Sequence, residues 1–316
     1  MEYRKLGNTD LNVSLIGFGA SPLGNAFHVT DPAEATRAVH LAIDHGINFF
    51  DVSPYYGLTL AEERLGKALY GRRDRVILAT KCGRYGPNTF DFSAKRVTAS
   101  LDESLNRLGT DYVDLLQVHD VEFGDFSQIV EETIPTLREL QRLGKARYIG
   151  VTGYPLHMLS RIIEAVSVDS VLSYCRYNLM ITDMDDALIP VAKKLGVGTI
   201  NASALHMGIL TERGAPAWHP APIEVRQAGK AVVEHCNEYG IDLATAALRF
   251  CFDHAYVSST LVGMSTTAHV ETNLKVLQAT SDPQLQEELQ ILLKPVFNYV
   301  WSSGKPENSD MECLIS

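Results

Sequence analysis

The chain has 316 residues, is 46% hydrophobic and carries 28 basic against 38 acidic side chains, a formal charge of −10. That balance, with no clustered basic run, argues against a nucleic-acid partner, and a core of this size holds an α/β domain without disulfides or a structural metal. The five cysteines (Cys82, Cys175, Cys236, Cys251, Cys313) form no CxxC or zinc-spaced cluster, MEYRKLGNTD has no signal-peptide core, and no run of about 20 apolar residues implies a membrane partner, so a cytoplasmic protein with free thiols is expected.

From Tyr3, YRKLGNTDLNVSLI reads as strand–turn–strand around Asn8-Thr9-Asp10, a hairpin suited to plug the bottom of a barrel. SLIGFGAS, at Ser14, is the first of eight short runs that are apolar on both faces, as parallel strands covered on both sides require. A helix follows from the capping Asp31-Pro32 to Gly46. INFFDVS, at Ile47, is the second run, and the helix after it opens on acids and closes on Leu65-Gly66. GRRDRV, from Gly71, reads as a solvated loop before the third run, RVILATKCG at Arg75. A helix from Ser93 to Gly109 leads to the fourth run, YVDLLQVHD at Tyr112. TIPTLRELQRLGKAR then closes on Gly144 among basic residues, as the helix dipole favours. ARYIGVTG, DSVLSYCRYN, VGTINASAL and VSSTLVGMS complete the eight, with MDDALIPVAKKLG, IEVRQAGKAVVEHCNEYG and TAHVETNLKVLQA as further helices. Asp282 to Gly304 adds a last helix and an aromatic tail. Eight βα units with right-handed crossovers close most simply into a (β/α)8 TIM barrel, here one domain over 1–316 with an N-terminal β-hairpin and a C-terminal helical extension.

In such a barrel the chemistry sits where strands end. The second run ends at Asp51 with Tyr56 just beyond, the third at Lys81, and the fourth at His119-Asp120. Singly these are a turn acid, a packing phenol, a solvated strand end and a structural imidazole. Jointly, on adjacent strands, they make a coherent set. An ammonium beside a phenol lowers its pKa, a carboxylate holds that ammonium, and a neutral imidazole orients a reacting oxygen. Metal-dependent hydrolysis would need further ligands that the later strand ends (Thr152-Gly153, Tyr177-Asn178, Ser203, Gly263-Met264) do not offer.

GINFFDVSPYYGLTLAEERLG, with Gly46, Asp51, Tyr56, Gly57, Glu63 and Leu65-Gly66 in register, resembles the aldo-keto reductase motif, and ILATKCG and DYVDLLQVHD resemble the segments carrying that family's lysine and histidine. The resemblance runs from YRKLGNT to ETNL and implies a catalytic tetrad of Asp51, Tyr56, Lys81 and His119, with Tyr56 as general acid/base for hydride exchange with a nicotinamide dinucleotide. It implies a cofactor site drawn from Gly19, Ala20, Ser21, Asp51, Thr152, Ser173 and Tyr174. SALHMGIL would run along the pyrophosphate through Ser203, Ala204, Leu205, Met207, Gly208 and Leu210. LVGMSTTAHVETNL would meet the adenosine phosphate through Gly263, Met264, Ser265, His269 and Asn273. The nicotinamide pocket departs from the family pattern. Thr152-Gly153 stands where many members have Ser-Asn, Tyr174 where many have Gln, and Ala202 where many have an aromatic residue. No Lys or Arg lies between Gly263 and Asn273, so NAD is expected over NADP. Within the family, KCGRYG, SYCRYNLM and NASALHMGIL are similar to the L-galactose dehydrogenase branch, which implies a small-molecule sugar substrate oxidised at C1, held against Tyr56 and His119 with Trp218 as a candidate wall. An aldehyde reductase and a nucleotide-sensing regulatory barrel remain as alternatives. Cys82, beside Lys81, is a candidate for thiol sensitivity.

Overall fold

Eight parallel strands close into a barrel in the computed structural model, which describes residues 1–26 and 28–310; Cys313, one of the expected free thiols, lies outside them. The strands are β1 (Ile16–Gly19), β2 (Phe49–Asp51), β3 (Ile77–Cys82), β4 (Val113–Val118), β5 (Ala146–Gly153), β6 (Ser170–Tyr174), β7 (Gly198–Ala202) and β8 (Val257–Gly263), paired in chain order with β8 against β1. Each falls within one of the eight apolar runs.

The barrel's bottom is closed by an antiparallel hairpin, Tyr3–Lys5 with Asn12–Ser14. Its Leu6, Leu11 and Val13 pack with Phe49, Ala79, Leu115, Leu172, Ile200 and Leu261 in the interior. Each inward strand residue sits two places before a strand-end position, so the pleat carries Asp51, Lys81, Gln117, Tyr174, Ala202 and Gly263 to the mouth.

Helices α1 (Pro32–Asp44), α2 (Leu60–Leu69), α3 (Ala94–Leu108), α4 (Ile134–Arg142), α5 (Leu156–Ala165) and α6 (Ile189–Leu195) lie outside the strands. They are followed by α7 (Ile223–Glu238), α8 (Leu243–Phe252), α9 (Thr267–Val276) and the C-terminal α10 (Pro283–Leu293). Asp31 caps α1 by accepting from the amides of Ala33 and Glu34, and Gly109 ends α3 in the left-handed region.

Two local expectations fail. Helix α2 does not stop at Leu65-Gly66 but runs to Leu69. A Cβ on Gly66 would stand 2.2 Å from Arg107 O, so this glycine allows α2 and α3 to touch rather than ending a helix. GRRDRV is not simply solvated. Arg73 pairs with the buried Asp114 at 2.8 Å, and Arg72 and Arg75 both pair with Asp44. Among the described residues no helix is long and apolar enough to cross a membrane.

Candidate active site

The strand ends bring Asp51, Tyr56, Lys81 and His119 to one side of the mouth. Parallel register sets Asp51 beside Ala79 and Lys81 beside Gln117. Lys81 Nζ donates to Asp51 Oδ1, to Val52 O at 3.0 Å and to Tyr56 OH at 3.2 Å. Gln117 Nε2 donates to Asp51 Oδ2 at 2.9 Å, so both carboxylate oxygens are engaged. The His119 amide is held by Cys82 O at 2.8 Å, and its ring stands edge-on to Tyr56 with centroids 5.6 Å apart.

Burial sets the charges. It pushes the Asp51 carboxyl upward, against the pull of Lys81 and Gln117. It also works against the Lys81 charge, but Asp51 and Tyr56 outweigh it and hold the ammonium above its ordinary value. Tyr56 is pushed up to about 12, because burial and the nearby Asp51 exceed the pull of Lys81. Local sequence logic had Lys81 lowering this phenol; desolvation reverses the sign. His119 is lowered to about 3 by burial and stays neutral. Its Nδ1 lies 2.9 Å from Ser53 Oγ, which itself accepts from Tyr55 N at 3.1 Å. Where the shared hydrogen belongs to Ser53, Nε2 carries the ring hydrogen, 3.8 Å from Asp120 Oδ2.

A second ring of groups stands behind these four, and its Arg84 and Glu122 escaped sequence reading. Arg84 Nη1 pairs with Asp120 Oδ2, 3.8 Å from His119 Nε2, and its guanidinium lies 3.9 Å over the Tyr55 ring. Glu122 is fully buried. Its Oε1 accepts from Tyr154 N (3.2 Å), Ser303 Oγ (3.1 Å) and Tyr174 OH (3.4 Å), while Oε2 has no partner among the described residues. A Cβ on Gly153 would come within 2.7 Å of that Oε2, so the glycine leaves room for the acid. Gln117 lies two places before His119 and Ser53 two places after Asp51, a period-two spacing that the sequence did contain.

Burial and Asp120 raise the Glu122 carboxyl to about 8, against 4.5 for a free one. A raised folded value means stability is complete below the unfolded pKa of 4.5 and is lost as pH climbs through about 8. Glu122→Gln is therefore expected to flatten that slope, gaining on the order of a few kcal/mol over wild type at pH 8.5 and little at pH 5. Urea unfolding at the two pH values checks it; parallel pH dependences in the two proteins would show that Glu122 is ionised when folded.

The residues expected to hold a cofactor fall in three places: at the strand ends, in the segment 203–210 and around the start of α9. Gly19 and Ala20 end β1, where Ala20 N donates to Asp51 O at 2.9 Å, and Ser21 opens a short 3-10 turn. Thr152 Oγ1 accepts from Asp120 N at 3.2 Å. Tyr174 points inward, whereas Ser173 shares the outward face with Val171 and its buried hydroxyl has no partner among the described residues. Segment 203–210 is tightly turned, with positive φ at Ser203, His206, Met207 and Gly208. Ala204, Leu210 and Met264 are buried core side chains and Leu205 packs against them, so these positions offer a ligand backbone rather than side chains. Gly263 is exposed at the end of β8, Ser265 Oγ meets His28 Nε2 at 3.2 Å, and Asn273 is buried on α9. Exposed backbone at a glycine strand end and a turned segment beside it fit a dinucleotide, which is held largely by main-chain groups.

Trp218 is 56% exposed and stacks on His219, 6.4 Å away. A separate aromatic stack sets Tyr174 against Tyr154 (5.5 Å), backed by the buried Trp301 (4.5 Å). Cys82 is fully buried and pushed up to about 12, which makes it an inert thiol rather than a redox sensor. Among the described residues no group of three or more His, Cys, Asp or Glu stands ready to hold a metal.

Comparison with known proteins agrees with the fold. Residues 15–293 match the aldo/keto reductase family. The chain is 48% identical to L-galactose dehydrogenase of Arabidopsis thaliana, covering 98% of this chain and 99% of that protein. It is 32% identical to D-arabinose 1-dehydrogenase of Saccharomyces cerevisiae, covering 97% and 98%. The holo form of aldo-keto reductase AKR11C1 from Bacillus halodurans superposes with a TM-score of 0.79 at 28% identity, covering 95% and 98%. A closed eight-stranded barrel with this match along most of its length leaves one family: the chain is an aldo/keto reductase.

Proposed function

We propose that the chain, acting as a single unit over residues 1–316 in the cytosol, oxidises the C1 hydroxyl of L-galactose with NAD to L-galactono-1,4-lactone. The observation that carries the chemistry is the buried Lys81–Tyr56 contact at 3.2 Å beside a neutral His119. Bound NAD supplies the hydride acceptor. Tyr56 takes the proton from the C1 oxygen, His119 Nε2–H orients that oxygen, and Asp51 keeps Lys81 charged and in place. In the reverse direction Tyr56 returns the proton. The substrate assignment is supported by the 48% identity to the Arabidopsis enzyme over nearly all of both chains. The cytosolic assignment is supported by four described cysteines that are free and buried.

NAD over NADP is supported by Glu34. Its Oε1 accepts from the Thr267 amide at 2.6 Å and from the Thr267 hydroxyl at 2.7 Å, which with Arg37 hold its pKa down at about 2. A permanent carboxylate therefore occupies the amino end of α9, where a 2′-phosphate would otherwise gain most. The fold brings Arg213 into electrostatic range of His269, a cation that the 263–273 window did not reveal. His269 itself is lowered by burial, His28 and Arg213, and stays neutral at pH 7.

An absorbance assay at the reduced nicotinamide band, across L- and D-sugars with each dinucleotide and across small aldehydes in reverse, tests this reading. The highest kcat/KM is expected for L-galactose with NAD, with NADP about tenfold or more below it. A higher kcat/KM for an aldehyde, or for NADP, would replace the assignment.

A further inference from the structure

Arg84 opens the small hairpin Arg84–Gly86 with Thr89–Phe90 that follows β3. Its guanidinium carbon lies 3.9, 5.3 and 5.6 Å from the ring centroids of Tyr55, Phe90 and Phe123. Nε donates weakly to Gly86 O at 3.5 Å and Nη1 donates to Asp120 Oδ2. Nη2 has no hydrogen-bond partner among the described residues, and the side chain is 17% exposed. Asp120 is itself fixed, with φ at 56° and its amide on Thr152 Oγ1. Electrostatically, Arg84 acts on His119 on one side and Tyr174 on the other.

The simplest use of this guanidinium would be to neutralise Asp120. An ion pair built for that alone favours the two-pronged fork, in which both guanidinium edges are used. Here one nitrogen makes the pair. Aromatic rings strip water from the flat faces, and Nη2 is left at the mouth with two donors. Nη2 is not among the buried unpaired side-chain atoms, so it keeps contact with solvent and is open to an incoming acceptor.

We propose that Arg84 is the residue that selects hydroxylated substrates, its Nη2 donating to the hydroxyl oxygen on the carbon next to the reacting carbon while the Tyr55 ring lies beside it. The inference rests on the reading of Tyr56 and His119 as the groups at the reacting oxygen. A site built to hydrogen-bond a hydroxyl discriminates against an analogue that lacks it, because bound substrate then shuts the donors off from water without pairing them. A polyol satisfies Arg84; an alkyl aldehyde does not.

The test compares glyceraldehyde with propionaldehyde, which differ only in hydroxyls, alongside L-galactose oxidation, in wild type, Arg84→Met and Arg84→Lys. The ratio of kcat/KM for glyceraldehyde over propionaldehyde is expected to fall about 100-fold in Arg84→Met, mainly through KM, with part of it restored in Arg84→Lys. An unchanged ratio overturns the proposal. Because Arg84→Met also frees Asp120 beside His119, Arg84→Met/Asp120→Asn removes both charges. The same lost ratio in that variant supports substrate contact, whereas recovery of the wild-type ratio shows that Arg84 only neutralised Asp120. A wild-type enzyme that oxidises no sugar yet prefers glyceraldehyde would remove the L-galactose reading and leave this one standing.

Discussion

Tyr56→Phe is expected to lower kcat about 1,000-fold or more while NAD affinity stays within about twofold. The substitution removes one oxygen and keeps the ring that stands edge-on to His119, so the site keeps its shape. What it loses is the only phenol in hydrogen-bond reach of Lys81 Nζ, among the described residues, and with it the carrier of the C1 proton. Wild type should also show a pH signature. With its phenol at about 12, only about 10⁻⁵ of the unliganded enzyme carries phenolate at pH 7. Oxidation at low substrate should therefore speed up as pH rises, since raising pH fills the basic form, and aldehyde reduction should not. Stopped-flow turnover and fluorescence titration with NAD check both halves. Retained turnover in the phenylalanine variant would take Tyr56 out of the chemistry.

Lys81→Met is expected to lose both activity and stability. Lys81 and Asp51 are each 2% exposed, so removing the ammonium strands a carboxylate with Gln117 as its remaining side-chain donor. Breaking one side of a buried pair costs about 3–5 kcal/mol. Turnover should fall by at least about 100-fold, because the phenol then feels burial and Asp51 with nothing pulling its pKa down. Lys81→Met/Asp51→Leu separates the two effects. It should recover most of the stability, since no lone charge remains, and none of the turnover. Urea unfolding of the single and double variants decides it. A single variant within 1 kcal/mol of wild type would mean that the pair carries no buried charge.

The barrel was legible in the sequence because its rules are local. Apolar runs covered on both sides, glycine stops and the cap at Asp31 each act within a few residues, and the eight strands lie where those runs lie. That Asp51 and Lys81 face the mouth was legible for a related reason, while Tyr56 and His119 lie just past strand ends. Period-two alternation lifts Asp51, Lys81 and Gln117 above Phe49, Ala79 and Leu115, and Tyr174 above Leu172, so position within a strand already fixes which side chains look into the mouth. The same alternation would have named Gln117 and separated Tyr174 from Ser173. Gly66 misled because a glycine ends helices in one setting and admits a neighbouring helix in another, and its neighbour, Arg107, is 41 positions away.

What the sequence by itself determined, then, is the set of eight strands, the face each residue takes and the four ionisable groups that share one rim. Only the tertiary structure decided the charges those groups carry and the company they keep. It brought Arg84 to Asp120, Ser303 to Glu122 and Glu34 to Thr267 across separations of 36, 181 and 233 residues. It also reversed the expected shift at Tyr56 and made Cys82 inert, because desolvation depends on everything that surrounds a group, whereas sequence shows only what is bonded nearby.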